Sequence, residues 1–391
     1  MVEFLGSNPQ FRVESQPFMP RGKKAYRRKP VVLVSITVAV CLFASIKSYA
    51  SQSPSTASMA TPKDESSLAH AELLYRLGDY AKAQQAAEHA LHSDPESPAW
   101  LVLLGRIADG QDDFARGAEL QKQALAIAEK AFGKNSLEAA EALDGQARNF
   151  TATAKFAEAE ESGKRALQIR EEKLQPNDIL IAKSLETLAD LYKEKSDYAG
   201  AASVAGRALG IAQKIYGPGD LPYADAKSTL GRIAIGQANY ARAEELLVHA
   251  SKTRKTVGGE NSLMYAESLA DLGSLYIFKR DNIRAEEFSA QAQELVEKLL
   301  GPDHLQVGVL LHNRGLVAYR REDYGTAEKF YQRSLAIKEK VLGPDHPWLG
   351  VTLNNLGLLY WQLDNYNKAA EYFRRAEIIF ERLDGPESFP V

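Results

Sequence analysis

Aromatic residues return along this chain at a fixed distance. Phe114, Phe156, Tyr198, Tyr240, Asn282, Tyr324 and Tyr366 follow one another at intervals of 42, and Tyr80 lies 34 before the first. Three residues after each comes Ala83, Gly117, Ala159, Ala201, Ala243, Ala285, Ala327 or Ala369. Ten residues after each comes an alanine, or a serine at Ser334. A period of this length, marked by alternating large and small residues, is the sequence form of a helical solenoid. Each unit has one face too apolar to expose, so it must stack on a neighbour, and the core runs along a line.

The last unit shows how a repeat is built. Leu353, Leu356, Tyr360 and Leu363 recur at three, four and three, which predicts one apolar helix face. Gly357 interrupts that helix at a cost of roughly 1 kcal/mol against alanine, which implies close approach by a second helix. Leu363-Asp364-Asn365 makes the turn, and the second helix buries Ala369, Phe373, Ala376, Ile379 and Phe380. Between units, Leu300-Gly301-Pro302-Asp303-His304 recurs as Leu342-Gly343-Pro344-Asp345-His346, with a looser copy at Tyr216-Gly217-Pro218. Glycine is expected to end one helix, proline to forbid its continuation, and Asp303 or Asp345 to cap the next.

These residues resemble the tetratricopeptide repeat, and the 42-residue units resemble the kinesin light chain subfamily over about residues 66–383. The likeness rests on Gly357, Tyr360, Tyr366, Ala369, Phe373 and Ala376, and on Gly315, Tyr324, Ala327, Tyr331 and Ser334 one unit earlier. The Leu-Gly-Pro-Asp-His loops and Leu353-Asn354-Asn355-Leu356 add to it. Ala71, Ala147 and Ala189 replace the glycine of the first helix, and Asn282 replaces the aromatic. The fold expected is all-α: a right-handed α-solenoid of about eight stacked helical hairpins, with Tyr80, Phe114, Phe156, Tyr198, Tyr240, Tyr324 and Tyr366 as repeat-defining positions. A role in microtubule transport does not carry over, because an export-type segment precedes the repeats.

That segment starts from charge. Residues 1–50 hold eight Lys/Arg against Glu3 and Glu14, a balance of +6 that leaves −9 for the rest of a chain of net charge −3. The acidic body argues against binding a phosphate backbone. The basic cluster Arg21 to Lys29 is followed by an apolar run, 31–46, and by Ser48-Tyr49-Ala50, the order of a secretory signal. Two readings stay open: a cleaved signal, with translation from Met1 or Met19, or a retained signal-anchor. Residues 51–65 read as a flexible Ser/Thr/Pro linker and 384–391 as a short tail. The solenoid is expected outside the cytoplasm, either periplasmic or secreted, or anchored by 31–46. The single cysteine, Cys41, lies in the apolar run.

In proteins of the resembled family the first helix of each hairpin lines a concave groove. Carried onto this sequence, the groove positions at the C-terminal end are His312, Asn313, Leu316 and Tyr319, then Asn354, Asn355, Leu358 and Trp361. In the middle units the same stripe is charged: Glu141, Asp144, Arg148, Lys183, Glu186, Asp190, Lys193, Asp225, Arg232, Glu267 and Asp271. Amide groups of Asn313, Asn354 and Asn355 can bond both donors and acceptors of a peptide, and Tyr319 and Trp361 offer large area. At the far end Phe373, Ile379 and Phe380 are expected to be partly uncovered, a possible surface for self-association. His89 and His92 read as a surface pair, and His304 and His346 as structural. Neither a phosphate loop, nor G-x-S-x-G, nor H-E-x-x-H is present, and no metal site or cofactor is expected. The expected function is a non-catalytic adaptor that binds a protein or peptide; the alternative is a chaperone or accessory subunit of an envelope assembly or secretion system.

Overall fold

The computed structural model describes residues 67–384, with side chains through residue 381. The basic cluster, the apolar run 31–46, the linker 51–65 and the tail beyond 384 lie outside the described residues. Among the described residues there are sixteen helices and no strand. They pair as eight hairpins: α1 (Leu68–Leu77) with α2 (Tyr80–Ser93), α3 (Pro98–Gly110) with α4 (Phe114–Phe132), α5 (Leu137–Ala152) with α6 (Phe156–Lys173), and α7 (Ile179–Glu194) with α8 (Tyr198–Ile215). The series continues with α9 (Leu221–Gly236) and α10 (Tyr240–Gly258), α11 (Leu263–Phe278) and α12 (Asn282–Leu300), α13 (Leu305–Arg320) and α14 (Tyr324–Leu342), and α15 (Pro347–Gln362) and α16 (Tyr366–Asp384). The 42-residue period is therefore the period of the helices themselves.

One turn is used eight times. Each first helix ends on a left-handed residue: Gly78, Asp112, Ala154, Ser196, Ala238, Arg280, Glu322 or Asp364. The next residue sends its N–H back five positions, as from Asp113 to the Ala108 carbonyl at 2.9 Å and from Asp323 to Ala318 at 3.0 Å. That bond satisfies a carbonyl the helix end would leave bare. The same residue then caps the second helix. Asp113, Asp197, Asn239, Asp281 and Asp323 each accept an N–H from three residues on. Lys155 departs from the pattern and makes no side-chain cap.

The repeat-defining aromatics follow from stacking. Each ring lies under the end of the next hairpin's first helix. A Cβ on Gly110 would sit 2.8 Å from the Tyr80 ring, and one on Gly236 would sit 2.1 Å from that of Tyr198. Tyr240 stacks on Phe278 at 6.3 Å. Tyr366 belongs to the last hairpin among the described residues, and it is 48% exposed. Within the last hairpin, Gly357 makes room for Phe373, whose ring would be 2.5 Å from a Cβ there.

At the chain end the expectation of partly uncovered side chains holds for Phe373 and Phe380 and fails for Ile379. Ile379 is buried, and Phe373 and Phe380 are half-buried against α15. The exposed face of α16 carries Glu371, Arg374, Glu377 and Glu381, so the last helix supplies its own polar cover. Leu363 lies in the turn, 43% exposed, and does not continue the buried face of α15. The uncovered apolar side chains at this end are instead Trp361, Leu363, Tyr366 and Ile378.

The loop between hairpins also holds a correction. Gly301 and Gly343 end their helices at φ of 92° and 82°, as expected. The next helix, however, is capped by His304 or His346, whose ring Nδ1 accepts the N–H of Gln306 or Trp348. Asp303 stands one residue too early to reach those amides and pairs on the surface with Lys340 at 2.9 Å.

After five hairpins the solenoid returns over itself. The turn of hairpin 1 meets the start of hairpin 6, where a Cβ on Gly78 would lie 3.1 Å from that of Leu263. The turn of hairpin 2 meets the start of hairpin 7: His304 Nε2 donates to the Gly110 carbonyl at 2.8 Å, and Leu305 N–H donates to Asp112 at 2.6 Å. The turn of hairpin 3 meets hairpin 8 through His346 Nε2 and the Ala152 carbonyl at 3.2 Å. A single apolar cluster joins Ala71, Tyr75 and Tyr80 to Leu269, Leu295 and Leu310 across this seam.

Candidate functional site: the interior face of the superhelix

The odd-numbered helices line the interior, and their inward side chains are mostly covered. In the middle hairpins they are ionic. Arg170 reaches in from α6 and donates to Asp144, to Glu141 at 2.7 Å, to Ser184 at 2.8 Å and to the Leu180 carbonyl at 2.8 Å. Lys183 shares Glu141 with it. Burial alone would raise the Glu141 pKa, but Lys183 and Arg170 pull it well below the usual carboxylate range.

Two hairpins on, the arrangement repeats. Arg254 donates twice to Asp225, at 2.7 and 2.9 Å, and lies near Ser268. Arg76 of α1 reaches the other Asp225 oxygen at 2.6 Å, across the seam. Arg232 joins Asp190 at 2.8 Å, and Ser228 donates to Asp271 at 2.8 Å. Nearer the start, Arg106 pairs with Glu72 at 3.2 Å and lies 4.9 Å from the Tyr75 ring centroid. Asp109, beside the seam, accepts from Asn149 at 2.6 Å, and burial pushes its carboxyl up to about 8.

At the C-terminal end the interior is mostly uncharged, with the buried Lys338 donating to Thr352 at 3.0 Å. His312 Nδ1 lies 3.0 Å from Thr352 Oγ1, and its Nε2 lies 3.4 Å from Asn355 Nδ2. Burial, with Lys338 nearby, drives the His312 pKa well below its ordinary value, so the ring is neutral. Asn313 donates to Ser274 at 3.4 Å.

Comparison with known proteins now has a geometry to meet. The tetratricopeptide repeat family model matches residues 96–172, 264–340 and 306–382, together about half of the chain. The chain is a tetratricopeptide-repeat protein.

Two solved structures with TM-scores above 0.5 share the fold. A Rap protein complexed with Competence and Sporulation Factor is 16% identical at a TM-score of 0.56, covering 81% of this chain and 97% of that one. Aspartyl phosphate phosphatase F from Bacillus subtilis is 14% identical at 0.52, covering 79% and 78%. The TPR-like repeats assigned to a kinesin light chain of Podosopora anserina are 18% identical at 0.40, covering 54% and 96%. No functionally curated protein matches the sequence.

Within this tetratricopeptide-repeat protein the expected groove residues divide. His312, Asn313 and Asn355 are enclosed, with exposures of 1, 0 and 9%, and are bonded to one another's neighbours. Tyr319 and Asn354 are half-buried, and Tyr319 leans on Tyr324 at 5.7 Å. Trp361 alone of the six is exposed, edge-on to Tyr366 at 5.1 Å. The charged stripe of the middle repeats is inside as well: Asp144, Lys183, Glu186, Lys193, Asp225, Arg232, Glu267 and Asp271 are all buried. Glu141, Arg148 and Asp190 of the same stripe are half-buried, so this face is largely covered, which the sequence did not reveal.

The seam residues escaped sequence reasoning. Gly110, Asp112 and Ala152 look like ordinary turn residues, and only their partners, His304 and His346, carried a signal. The Leu-Gly-Pro-Asp-His loop occurs twice, and both copies lie at hairpins over which the chain has wound back. Seam contacts surround a cavity of about 30 Å³ bordered by Tyr80, Asp109, His304 and Gln306. That is room for a water or two and too little for a metabolite. No group of three or more His, Cys, Asp or Glu able to hold a metal is found among the described residues. None of the described helices is long and apolar enough to cross a membrane.

Proposed function

We propose that this protein is a non-catalytic interaction scaffold that binds a protein or peptide partner on its interior face and works outside the cytoplasm. The observation that carries the reading is the inner surface itself: one unbroken row of first helices, ionic in the middle hairpins and amide-rich at the end. Side chains of this kind recognise another chain's charged groups and backbone amides. A Rap protein of the same fold was solved with Competence and Sporulation Factor, which is consistent with the reading but at 16% identity speaks only for the fold. Export rests on the order of basic cluster, apolar run and small residues before Ser51. The apolar end around Trp361 and Tyr366 is a secondary surface, suited to self-association.

Capture from an envelope extract with the chain from Ser51 onward tests the function. One dominant partner is expected, lost on charge reversal at Asp190; a heterogeneous set of clients would overturn the adaptor in favour of a chaperone. Fractionation tests the location: the solenoid recovered in the cytoplasm would remove the export reading. Light scattering at micromolar concentration that shows monomer alone would remove self-association.

A further inference from the structure

A tetratricopeptide groove that is closed cannot admit a chain, so a binding function requires a way in. Beside the apolar cluster around Tyr75, Tyr80 and Leu269, the polar contacts that close it share one design. His304 is bonded on both sides of its ring: Nδ1 accepts from Gln306 N–H at 3.2 Å, and Nε2 donates to the Gly110 carbonyl at 2.8 Å. His346 does the same between Trp348 N–H at 3.3 Å and the Ala152 carbonyl at 3.2 Å. Each ring caps the helix below and holds the turn above. Asp112 adds its bond from Leu305 N–H, and Arg76 its pair with Asp225.

The rest of the solenoid is joined only between neighbours in sequence, as repeat arrays are. Parting the seam therefore breaks no hairpin. We propose that His304 and His346 are latches that hold the superhelix shut over its partner-binding interior, and that a partner enters by parting this seam. The inference rests on the interior-face reading above, but its test uses no partner, so either can fail without the other.

Asparagine separates the two jobs of the latch. It is an excellent helix N-cap but is too short to reach the overlying carbonyl. The full chain carrying Cys41→Ser is given one reporter thiol, either Ser274→Cys on the interior or Ser289→Cys inside hairpin 6. Both serines are buried, at 0 and 1% exposure, and Ser289 packs against Gly273 of its own hairpin. Reaction with Ellman's reagent is then followed with and without H304N/H346N. The thiol at position 274 is expected to react about tenfold faster in the double variant, while that at 289 stays slow and the radius of gyration by X-ray scattering rises. Rates at 274 within about twofold, with superimposable scattering, would overturn the latch. So would an acceleration shared by position 289, because it would mean that the hairpins had unfolded and not parted.

Discussion

The middle and the C-terminal hairpins use one backbone and one interior position in opposite ways. The position held by Glu141, Lys183, Asp225 and Glu267 becomes Val309 and Val351 in hairpins 7 and 8. Those two are the hairpins onto whose starts the turns of hairpins 2 and 3 descend. In these two the inward side chain is apolar and packs, whereas hairpin 6, on which the turn of hairpin 1 lands, keeps Glu267. Elsewhere it is charged and must be paired, because an isolated charge in such a place would cost several kcal/mol. The same repeat signature thus accommodates either chemistry at one interior position, provided that a charge placed there is paired.

The largest test of that contrast removes one partner from each interior. Asp225→Ala removes the carboxylate shared by Arg254 and Arg76 and should cost about 3–5 kcal/mol in urea unfolding. Asn355→Ala removes one neutral contact and should cost about 1 kcal/mol. Equal losses would break the comparison.

Acid should act next, through the neutral histidines. Burial, with Lys338 opposing a further proton, holds His346 down to about 4, although its bond to the Ala152 carbonyl works the other way. The groups facing it are Lys338 from α14, the Trp348 ring and the Ala152 carbonyl. Its folded pKa lies below the unfolded value of about 6.5, so the unfolded chain binds the proton first. The stability it contributes is whole above pH 6.5 and falls progressively toward pH 4, by roughly 2–3 kcal/mol. In H346N that part of the pH slope should vanish.

Asp109 runs the opposite way and gives a smaller effect. Its folded pKa of about 8 exceeds the unfolded value, so its penalty grows as pH rises toward 8 and then levels. Asp109→Asn should raise stability at pH 9 by about 1–3 kcal/mol and leave acid behaviour unchanged, as read by melting across pH. Smallest is the turn. Glu322 is exposed at φ 61°, and Glu322→Gly should stabilise by about 0.5 kcal/mol, the relief of left-handed strain less the entropy glycine adds.

Much of this was legible in advance because it is local. The hairpins and the close helix approach at Gly357 follow from contacts within a repeat or with the next one. The cap was misassigned to Asp303 and Asp345 because Asp is a common N-cap, whereas here a histidine ring one position later has the geometry. The enclosed state of His312, Asn313 and Asn355 was not legible, since nothing at those positions differs between an open groove and a closed one.

By itself the sequence determined sixteen helices, their pairing and the face each one turns inward, because period, turn chemistry and small-residue spacing act over a few residues. Only the tertiary structure decided that the inward face is covered. Closure depends on small rotations between neighbours accumulating over five repeats until a turn lands on a histidine 194 residues further along the chain. No single repeat encodes that sum.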